Sequence, residues 1–201
     1  MQDWHSMYRQ QPRYVLLDRD GVINRRVPGG YVTSWERFEF LPRALDGLRL
    51  LAQHGYRALV ISNQACVGKG LLSSEDLELI TRRFLLEVAL SGGNIAHVYY
   101  CKHKEEDRCN CRKPLPGLIV RARLEQGFVP GETYLIGDSQ SDLAAAEAAG
   151  CPAILIRRDA FLENHAAGAQ RLMVTSNLLE AAEMIVALQR ARGLEYILAG
   201  Q

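Results

Sequence analysis

Short apolar runs alternate with amphipathic segments along this chain, and the alternation restricts the fold more than any other feature. Six runs are predicted to be strands, the last of them weaker: YVLLD (14–18), RALVIS (57–62), HVYY (97–100), TYLIGD (133–138), PAILI (152–156) and RLMVTS (171–176). Helices are predicted over 41–55, 73–90, 117–127, 141–150 and 177–193. Because the strands are almost continuously apolar, they need cover on both faces. The pattern predicts a single-domain α/β fold, a Rossmann-like parallel sheet with helices on both faces.

Length and charge limit the classes of protein that this chain can belong to. The chain has 201 residues, of which 48% are hydrophobic, enough for one buried core. Lys and Arg number 24 against 23 Asp and Glu, a balance that argues against a nucleic-acid or polybasic membrane surface. No apolar run approaches the roughly 20 residues of a membrane span, and residues 1–13 lack a signal core. We expect a cytoplasmic protein with a flexible extension over 1–13 and one domain over 14–201.

Polar side chains stand where three of the predicted strands end. They are Asp18 and Asp20 in DRDG, Ser62 in SNQ, and Asp138 and Asp142 in GDSQSD. Since the carboxyl ends of parallel strands lie at one edge of a sheet, these side chains are expected to converge. Lys113, which follows the third strand, can join them.

The chemistry of this group favours phosphoryl transfer. Several carboxylates around one point repel each other, and Mg²⁺ resolves the repulsion while accepting phosphate oxygens. Lysine and a hydroxyl can hold the remaining phosphate oxygens, and an aspartate can serve as nucleophile. A calcium loop is excluded, because an EF-hand needs an acid or amide where Val22 stands and a glutamate at Gly29.

Four soft ligands crowd one loop, residues 101–111. They are Cys101, His103, Cys109 and Cys111. A set of three thiolates and one imidazole selects Zn²⁺ and is typical of a closed, structural site. The remaining cysteines, Cys66 and Cys151, stand alone and are interpreted as small core residues.

At these residues the chain resembles the haloacid dehalogenase superfamily of aspartate-nucleophile phosphatases. DRDGVIN, ISNQ, the lysine of CRKP and GDSQSD match its four motifs in order. GYV followed by FEFLP, the C-x-H…C-x-C loop and CRKP-x-PG resemble the D-glycero-D-manno-heptose 1,7-bisphosphate phosphatases and their sister group, the histidinol-phosphate phosphatases. The resemblance runs from about Tyr14 to Ile156. It implies a capless phosphatase domain with a zinc-binding loop. The short spacings after DRDGVIN and SNQ agree with the absence of a cap, because neither leaves room for an inserted domain.

The resemblance implies a role for each motif residue. Asp18 would attack phosphorus and form an aspartyl-phosphate, and Asp20 would protonate the leaving alcohol and then activate water. Ser62 and Lys113 would bind the transferring phosphoryl group.

Metal ligation is likewise implied by the resemblance. The Asp18 carboxylate, the Asp20 carbonyl and Asp138 would hold Mg²⁺. Asp142 would orient Lys113 or a water on the metal.

The resemblance also implies a small phosphorylated sugar as substrate, with the 7-phosphate of D-glycero-D-manno-heptose 1,7-bisphosphate as the group hydrolysed by a monomeric enzyme. The residues expected to bind substrate are Asn24, Arg26, Gly30, Tyr31, Asn63, Gln64 and Arg112. Arg112 would hold the second phosphate. Arg25 and Arg26 are either solvated surface residues, or one of them meets a distal phosphate, because arginine suits bidentate phosphate contacts. GKG at residues 68–70 lacks the spacing of a phosphate loop and is interpreted as a flexible turn.

Two alternatives remain open at this point. The first is a histidinol-phosphate phosphatase or another small sugar-phosphate phosphatase of the same branch. Only five residues separate His103 from Cys109, a short spacing that is also common among histidinol-phosphate phosphatases, and Ser139 stands where a substrate-facing lysine is expected. The second is a binding module. A zinc-stabilised binding module with a lapsed active site would lack a nucleophile, acid or lysine, whereas this chain has all three.

Overall fold

A six-stranded parallel sheet forms the centre of the molecule. The computed structural model describes residues 12–157 and 173–199, with side chains as far as 192. The strands are β1 (Arg13–Leu17), β2 (Tyr56–Asn63), β3 (Ile95–Cys101), β4 (Leu135–Gly137), β5 (Ala153–Ile156) and β6 (Met173–Thr175). They lie in the order β3-β2-β1-β4-β5-β6, and every neighbouring pair is parallel. The predicted parallel sheet is therefore confirmed.

Six α-helices lie in the described residues, five of them between strands and the last after β6. They are α1 (Ala44–Gln53), α2 (Ala65–Gly68), α3 (Ser74–Leu90), α4 (Gly117–Gln126), α5 (Gln140–Ala148) and α6 (Leu178–Ala199). Ser73 caps the start of α3, because its Oγ accepts a hydrogen bond from the Asp76 amide at 2.9 Å. Asn177 likewise accepts from the Glu180 amide at 3.1 Å at the start of α6.

Successive strand residues pack into two separate hydrophobic cores, one on each face of the sheet. Val15 and Leu17 of β1 pack with α1, α3 and α6. Leu16 of β1 and Leu59 of β2 point the other way and pack with α4 and α5. This period of two, with apolar residues on both faces, explains why the strand sequences are apolar throughout.

The predicted boundaries differ from the observed ones by a few residues. β1 begins at Arg13 and β3 reaches from Ile95 to Cys101, while β4 is confined to Leu135–Gly137. The segment 63–72, which lies between a predicted strand and a predicted helix, contains the one-turn helix α2. Such a short helix leaves no apolar periodicity in the sequence. Residues 1–11, most of the predicted extension, and residues 171–172 of the predicted sixth strand lie outside the described residues.

The strand order reverses between β1 and β4, which are hydrogen-bonded neighbours. In open parallel sheets, ligands bind in the crevice at the carboxyl ends of the strands where this reversal occurs. β2 lies on the other side of β1, so the carboxyl ends of β1, β2 and β4 are adjacent. None of the helices in the described ranges is long and apolar enough to cross a membrane.

Candidate active site

A buried lysine joins the ends of three strands. Lys113 Nζ lies 2.9 Å from Asp18 Oδ1 after β1 and 2.5 Å from Asp142 Oδ1 after β4. The same ammonium donates a hydrogen bond to the Ile61 carbonyl of β2 at 2.8 Å. The side chains of Lys113, Asp18 and Asp142 are all less than one-tenth exposed. The predicted convergence of DRDG, CRKP and GDSQSD is thus present in the structure.

Burial and charge shift the proton affinities of this group. Burial raises the pKa of Asp18 to about 7, and the charges of Asp142 and Asp20 add to the rise while Lys113 opposes it. Burial alone would lower the pKa of Lys113, but the two carboxylates outweigh it and raise that pKa. One ammonium group therefore lies between two carboxyl groups and can neutralise only one negative charge. A further cation could neutralise the other.

Asp142 also holds the loop that carries Asp138. Its Oδ2 accepts hydrogen bonds from the amides of Asp138 and Ser139 at 3.2 and 3.1 Å, and from Ser139 Oγ at 2.6 Å. A Cβ at Gly137 would lie 2.3 Å from the Asp142 Cβ, so only glycine fits before Asp138. One buried carboxylate thus positions both Lys113 and Asp138.

Asp20 lies beside this group in its own network of donors. Its Oδ2 accepts from Gln64 Nε2 at 2.6 Å, its Oδ1 accepts from Asn24 Nδ2 at 2.9 Å, and Arg19 Nη2 lies 3.0 Å from Oδ2. Burial would raise the pKa of Asp20, but the charge of Arg19 and the three hydrogen bonds outweigh it and lower that pKa. Asn24 and Gln64, predicted to bind substrate, are both buried next to Asp20.

Arg19 is a residue of this site that the sequence reasoning missed. The side chain is fully buried, and its guanidinium carbon lies 5.9 Å from the Phe38 ring centroid and 5.8 Å from that of Tyr100. Buried arginines need a charged partner, and here the partner is Asp20. The sequence did contain one signal for a role of Arg19 in the site, because this charged residue stands between Asp18 and Asp20.

Arg26 lies against the oxygens that the resemblance assigned to a metal. Its Nη2 is 2.6 Å from Asp138 Oδ1 and 3.4 Å from the Asp20 carbonyl oxygen. Gly21 makes this corner possible, because it has a φ of +100° and a Cβ there would lie 1.8 Å from Asp138 Oδ2. The Asp20 carbonyl and the Asp138 carboxylate therefore converge on one cationic group.

Ser62 and Asn63 close the site from the end of β2. Ser62 Oγ accepts from Gln64 Nε2 at 3.1 Å, which leaves its hydroxyl proton for another acceptor. Asn63 holds the backbone of Lys113, accepting from its amide at 3.1 Å and donating to its carbonyl at 3.0 Å. The role of Asn63 in the structure is therefore to fix the position of Lys113.

A cavity of about 430 Å³ opens above these residues. Five of the residues predicted to bind substrate line it: Arg26, Gly30, Tyr31, Asn63 and Arg112. Asn24 and Gln64 are not among its lining residues in the described part of the chain. Lys69, interpreted from the sequence as part of a flexible turn, lines the cavity as well, so that interpretation was incomplete.

The four soft ligands meet as predicted. Cys101 Sγ lies 3.6 Å from Cys109 Sγ and 3.3 Å from Cys111 Sγ, and His103 Nδ1 lies 3.2 Å from Cys111 Sγ. A tetrahedron of thiolates about 2.3 Å from a central ion has edges of roughly 3.8 Å. The four side chains therefore fit a tetrahedral metal ion with little rearrangement.

The carboxylates fit a metal ion too. One oxygen from each of Asp18, Asp138 and Asp142 lies within 4.8 Å of the others. Oxygen donors of this kind suit a hard divalent cation, whereas the sulfur-rich group suits a softer one. The chain thus has two chemically distinct groups of side chains that could hold a metal ion, joined by the sequence Cys111-Arg112-Lys113.

Known proteins resemble this chain both in sequence and in fold. The family model described as HAD-hydrolase-like matches residues 110–181. A D-glycero-alpha-D-manno-heptose-1,7-bisphosphate 7-phosphatase of Mycobacterium bovis is 40% identical over 71% of this chain and 78% of its own. A D-glycero-beta-D-manno-heptose-1,7-bisphosphate 7-phosphatase of Helicobacter pylori is 37% identical over 65% of this chain and 75% of its own.

Solved structures give the same result. The crystal structure of D,D-heptose 1,7-bisphosphate phosphatase from B. bronchiseptica, complexed with magnesium and phosphate, matches with a TM-score of 0.80 and 29% identity. The match covers 87% of this chain and 98% of that chain. The ordered motifs, the strand-end site and these relatives together show that the chain belongs to the heptose-1,7-bisphosphate 7-phosphatase family of the haloacid dehalogenase superfamily.

Proposed function

We propose that this protein hydrolyses the 7-phosphate of D-glycero-D-manno-heptose 1,7-bisphosphate through an aspartyl-phosphate on Asp18. The observation that carries the proposal is the buried contact of Lys113 with both Asp18 and Asp142, directly below a cavity lined by cationic residues. The names of the relatives at 37–40% identity support the substrate.

Asp18 is the nucleophile in this proposal. Its two hydrogen-bond partners in the described residues, the Arg19 amide at 2.7 Å and Lys113, both use Oδ1, so Oδ2 is the oxygen that attacks phosphorus. The new bond joins Oδ2 to phosphorus, and the bond between phosphorus and the C7 oxygen of the sugar breaks. Lys113 and the Ser62 hydroxyl stabilise the phosphoryl oxygens during the transfer.

Asp20 moves the protons. It gives a proton to the departing C7 oxygen, and the negative charge of a bound phosphate raises its pKa for this step. It then takes a proton from the water that attacks the aspartyl-phosphate, which restores Asp18 and releases inorganic phosphate. Arg19, Asn24 and Gln64 hold the carboxylate of Asp20 in place for both steps.

Two metal ions complete the proposed site. The Asp18 carboxylate, the Asp20 carbonyl and Asp138 would hold Mg²⁺, which when bound neutralises charge between the carboxylates and the phosphoryl group. Zn²⁺ would occupy the group of three cysteines and His103, where it fixes the loop that continues into Arg112 and Lys113.

The rest of the substrate would lie in the cavity. We propose that Gly30, Tyr31 and Arg112 contact the sugar and its second phosphate, with Arg26 joining them when it leaves Asp138. We further propose a monomeric, cytoplasmic enzyme; five free thiols are compatible with a reducing compartment.

Side-by-side kinetics test this function. We expect kcat/KM for either anomer of heptose 1,7-bisphosphate to exceed that for histidinol phosphate by a large factor, because the cavity offers cations for a second phosphate. Both anomers are needed, since relatives of each preference have similar identity to this chain. A higher kcat/KM for histidinol phosphate would show that the substrate is wrong, and no phosphate release from any of these compounds would contradict the proposed activity.

A further inference from the structure

One loop contacts both the cavity and the hydrophobic core. It comprises residues 25–40, between β1 and α1, and is called the 25–40 loop below. Its two ends are held together, because the Arg25 amide donates a hydrogen bond to the Glu39 carbonyl at 2.8 Å. Tyr31 of this loop lines the cavity, whereas Phe38 is buried in the core. The loop is thus a physical link between the cavity and the packing beneath it.

Phe38 is held by a stack of aromatic rings. Its ring stacks on that of Phe84 in α3, with centroids 5.5 Å apart and an angle of 6° between the planes. Trp35, from the same loop, also stacks on Phe38, with centroids 5.3 Å apart and an angle of 13°. Rings packed in this way have little room to shift independently. The position of Phe38 therefore depends both on α3 and on the 25–40 loop.

The guanidinium of Arg19 contacts both Phe38 and Asp20. Its carbon lies 5.9 Å from the Phe38 ring centroid and 5.8 Å from that of Tyr100, and its Nη2 lies 3.0 Å from Asp20 Oδ2. Tyr100 is itself held by its hydroxyl, which lies 2.9 Å from Thr81 Oγ1 in α3. Because the Arg19 side chain is fully buried, a carboxylate and aromatic rings, rather than bulk water, hold its charge.

The carboxylate that Arg19 contacts has a task that depends on the substrate. In the proposed reaction, Asp20 gives a proton to the departing oxygen, which must lie within hydrogen-bond distance. An alkoxide leaves poorly without that proton, whereas the anion of an acidic phenol leaves readily. A shift of about 1 Å in a reacting group can cost about 100-fold in rate. Misplacement of Asp20 should therefore slow the hydrolysis of alkyl phosphates and spare activated aryl phosphates.

We propose that Arg19 is a positioning residue that couples the 25–40 loop to Asp20, and that this coupling favours alkyl phosphates, whose leaving oxygen needs the proton. Asn24 and Gln64 also donate hydrogen bonds to Asp20, but both are neutral. Arg19 brings a charge and the contact with the loop to the same carboxylate. This role rests on the proposed function, in which Asp20 is the acid, and adds to it a route by which the loop at the cavity positions that acid.

Leaving-group dependence tests this role separately from a general loss of structure. The assay measures kcat/KM for heptose 1,7-bisphosphate and for a series of substituted phenyl phosphates that ends with p-nitrophenyl phosphate, since kcat/KM reports the transfer step. We expect Arg19→Met to lower kcat/KM about 10- to 100-fold for the heptose bisphosphate and about 3-fold at most for p-nitrophenyl phosphate. Arg19→Lys, which keeps the charge, should restore part of the loss. Phe38→Leu should lower the ratio of the two kcat/KM values about 2- to 10-fold.

Arg121→Met provides the matched control. Arg121 likewise pairs with a carboxylate, Glu125 at 2.8 Å, and lies 5.7 Å from the ring centroid of Tyr99, but it does not line the cavity. Its replacement should leave the ratio of the two kcat/KM values unchanged. An equal loss for alkyl and aryl phosphates in Arg19→Met, or a wild-type ratio in Phe38→Leu, would overturn the coupling.

The phenyl phosphates separate this role from the identity of the substrate. A wild-type protein that hydrolyses them but not the heptose bisphosphate would contradict the proposed substrate alone. The dependence of kcat/KM on the acidity of the leaving phenol then decides the role of Arg19: a steeper dependence in Arg19→Met supports it, and an equal dependence overturns it. If Arg19→Met does not fold, Arg19→Lys and Phe38→Leu decide by the same criterion. Absence of hydrolysis of every ester would overturn both the function and the role of Arg19.

Discussion

Arg26 contacts oxygens that we propose as Mg²⁺ ligands, so the side chain and the metal ion are expected to compete, and the competition can be measured. The guanidinium of Arg26 lies 2.6 Å from Asp138 Oδ1 and 3.4 Å from the Asp20 carbonyl, which are two of the three proposed Mg²⁺ ligands. Binding of the cation must displace this side chain. Replacement of Arg26 by glutamine should therefore increase the affinity for Mg²⁺.

The expected increase follows from the environment of the pair. The Arg26 side chain is 53% exposed and that of Asp138 is 16% exposed, so solvent screens the contact in part. Exposed ion pairs contribute up to about 1 kcal/mol and buried charged hydrogen bonds about 1.5–3 kcal/mol. A value of roughly 1 kcal/mol is appropriate here, and it corresponds to Mg²⁺ binding about 3- to 10-fold tighter.

The assay is calorimetric titration of the substrate-free protein with Mg²⁺. Arg25→Gln is the matched control, because Arg25 is the neighbouring arginine and pairs at 2.8 Å with Glu39 rather than with a proposed ligand. Arg26→Lys keeps the charge and should lie between wild type and Arg26→Gln. Unchanged or weaker Mg²⁺ binding in Arg26→Gln, or an equal gain in Arg25→Gln, would refute the competition.

Two further substitutions test the metal sites. Gly21→Ala would place a Cβ 1.8 Å from Asp138 Oδ2, so we expect the Mg²⁺ affinity measured by calorimetry to fall at least about 10-fold. Gly127→Ala is the control, because Gly127 also has a positive φ but open space around its Cα. Equal Mg²⁺ affinity in the two variants would contradict this reasoning. Cys109→Ser should lower both the zinc content measured by elemental analysis and Tm, because the order of the loop and metal binding are coupled. Cys151→Ser, a change at a cysteine outside the group, should keep the metal. Full zinc content in Cys109→Ser would count against the site.

The sequence predicts the convergence of the site because parallel strands impose it. Once the runs ending in Asp18, Ser62 and Asp138 are assigned to one parallel sheet, their ends must share an edge, whatever the detailed packing. The cysteine group is predictable for a similar reason, since short spacing keeps four ligands together. Neither inference requires knowledge of how the loops fold back over the sheet.

The contacts made by those loops could not be predicted from the sequence. Arg19 is buried between Phe38 and Tyr100, residues that are distant along the chain and come together only in the folded protein. Lys69 reaches the cavity because a one-turn helix carries it toward Tyr31. Such contacts depend on the path of irregular segments, for which neither period two nor period 3.6 gives a signal.

Chemical trapping of the proposed intermediate tests the central claim most directly. The protein is quenched during turnover of heptose 1,7-bisphosphate, reduced with borohydride, digested and examined by mass spectrometry. Hydride reduces an aspartyl-phosphate to homoserine and releases phosphate, so we predict that homoserine replaces aspartate at Asp18, and only in samples quenched with substrate present. Homoserine at Asp20 or Asp138, or rapid turnover with Asp18 always recovered as aspartate, would contradict the account.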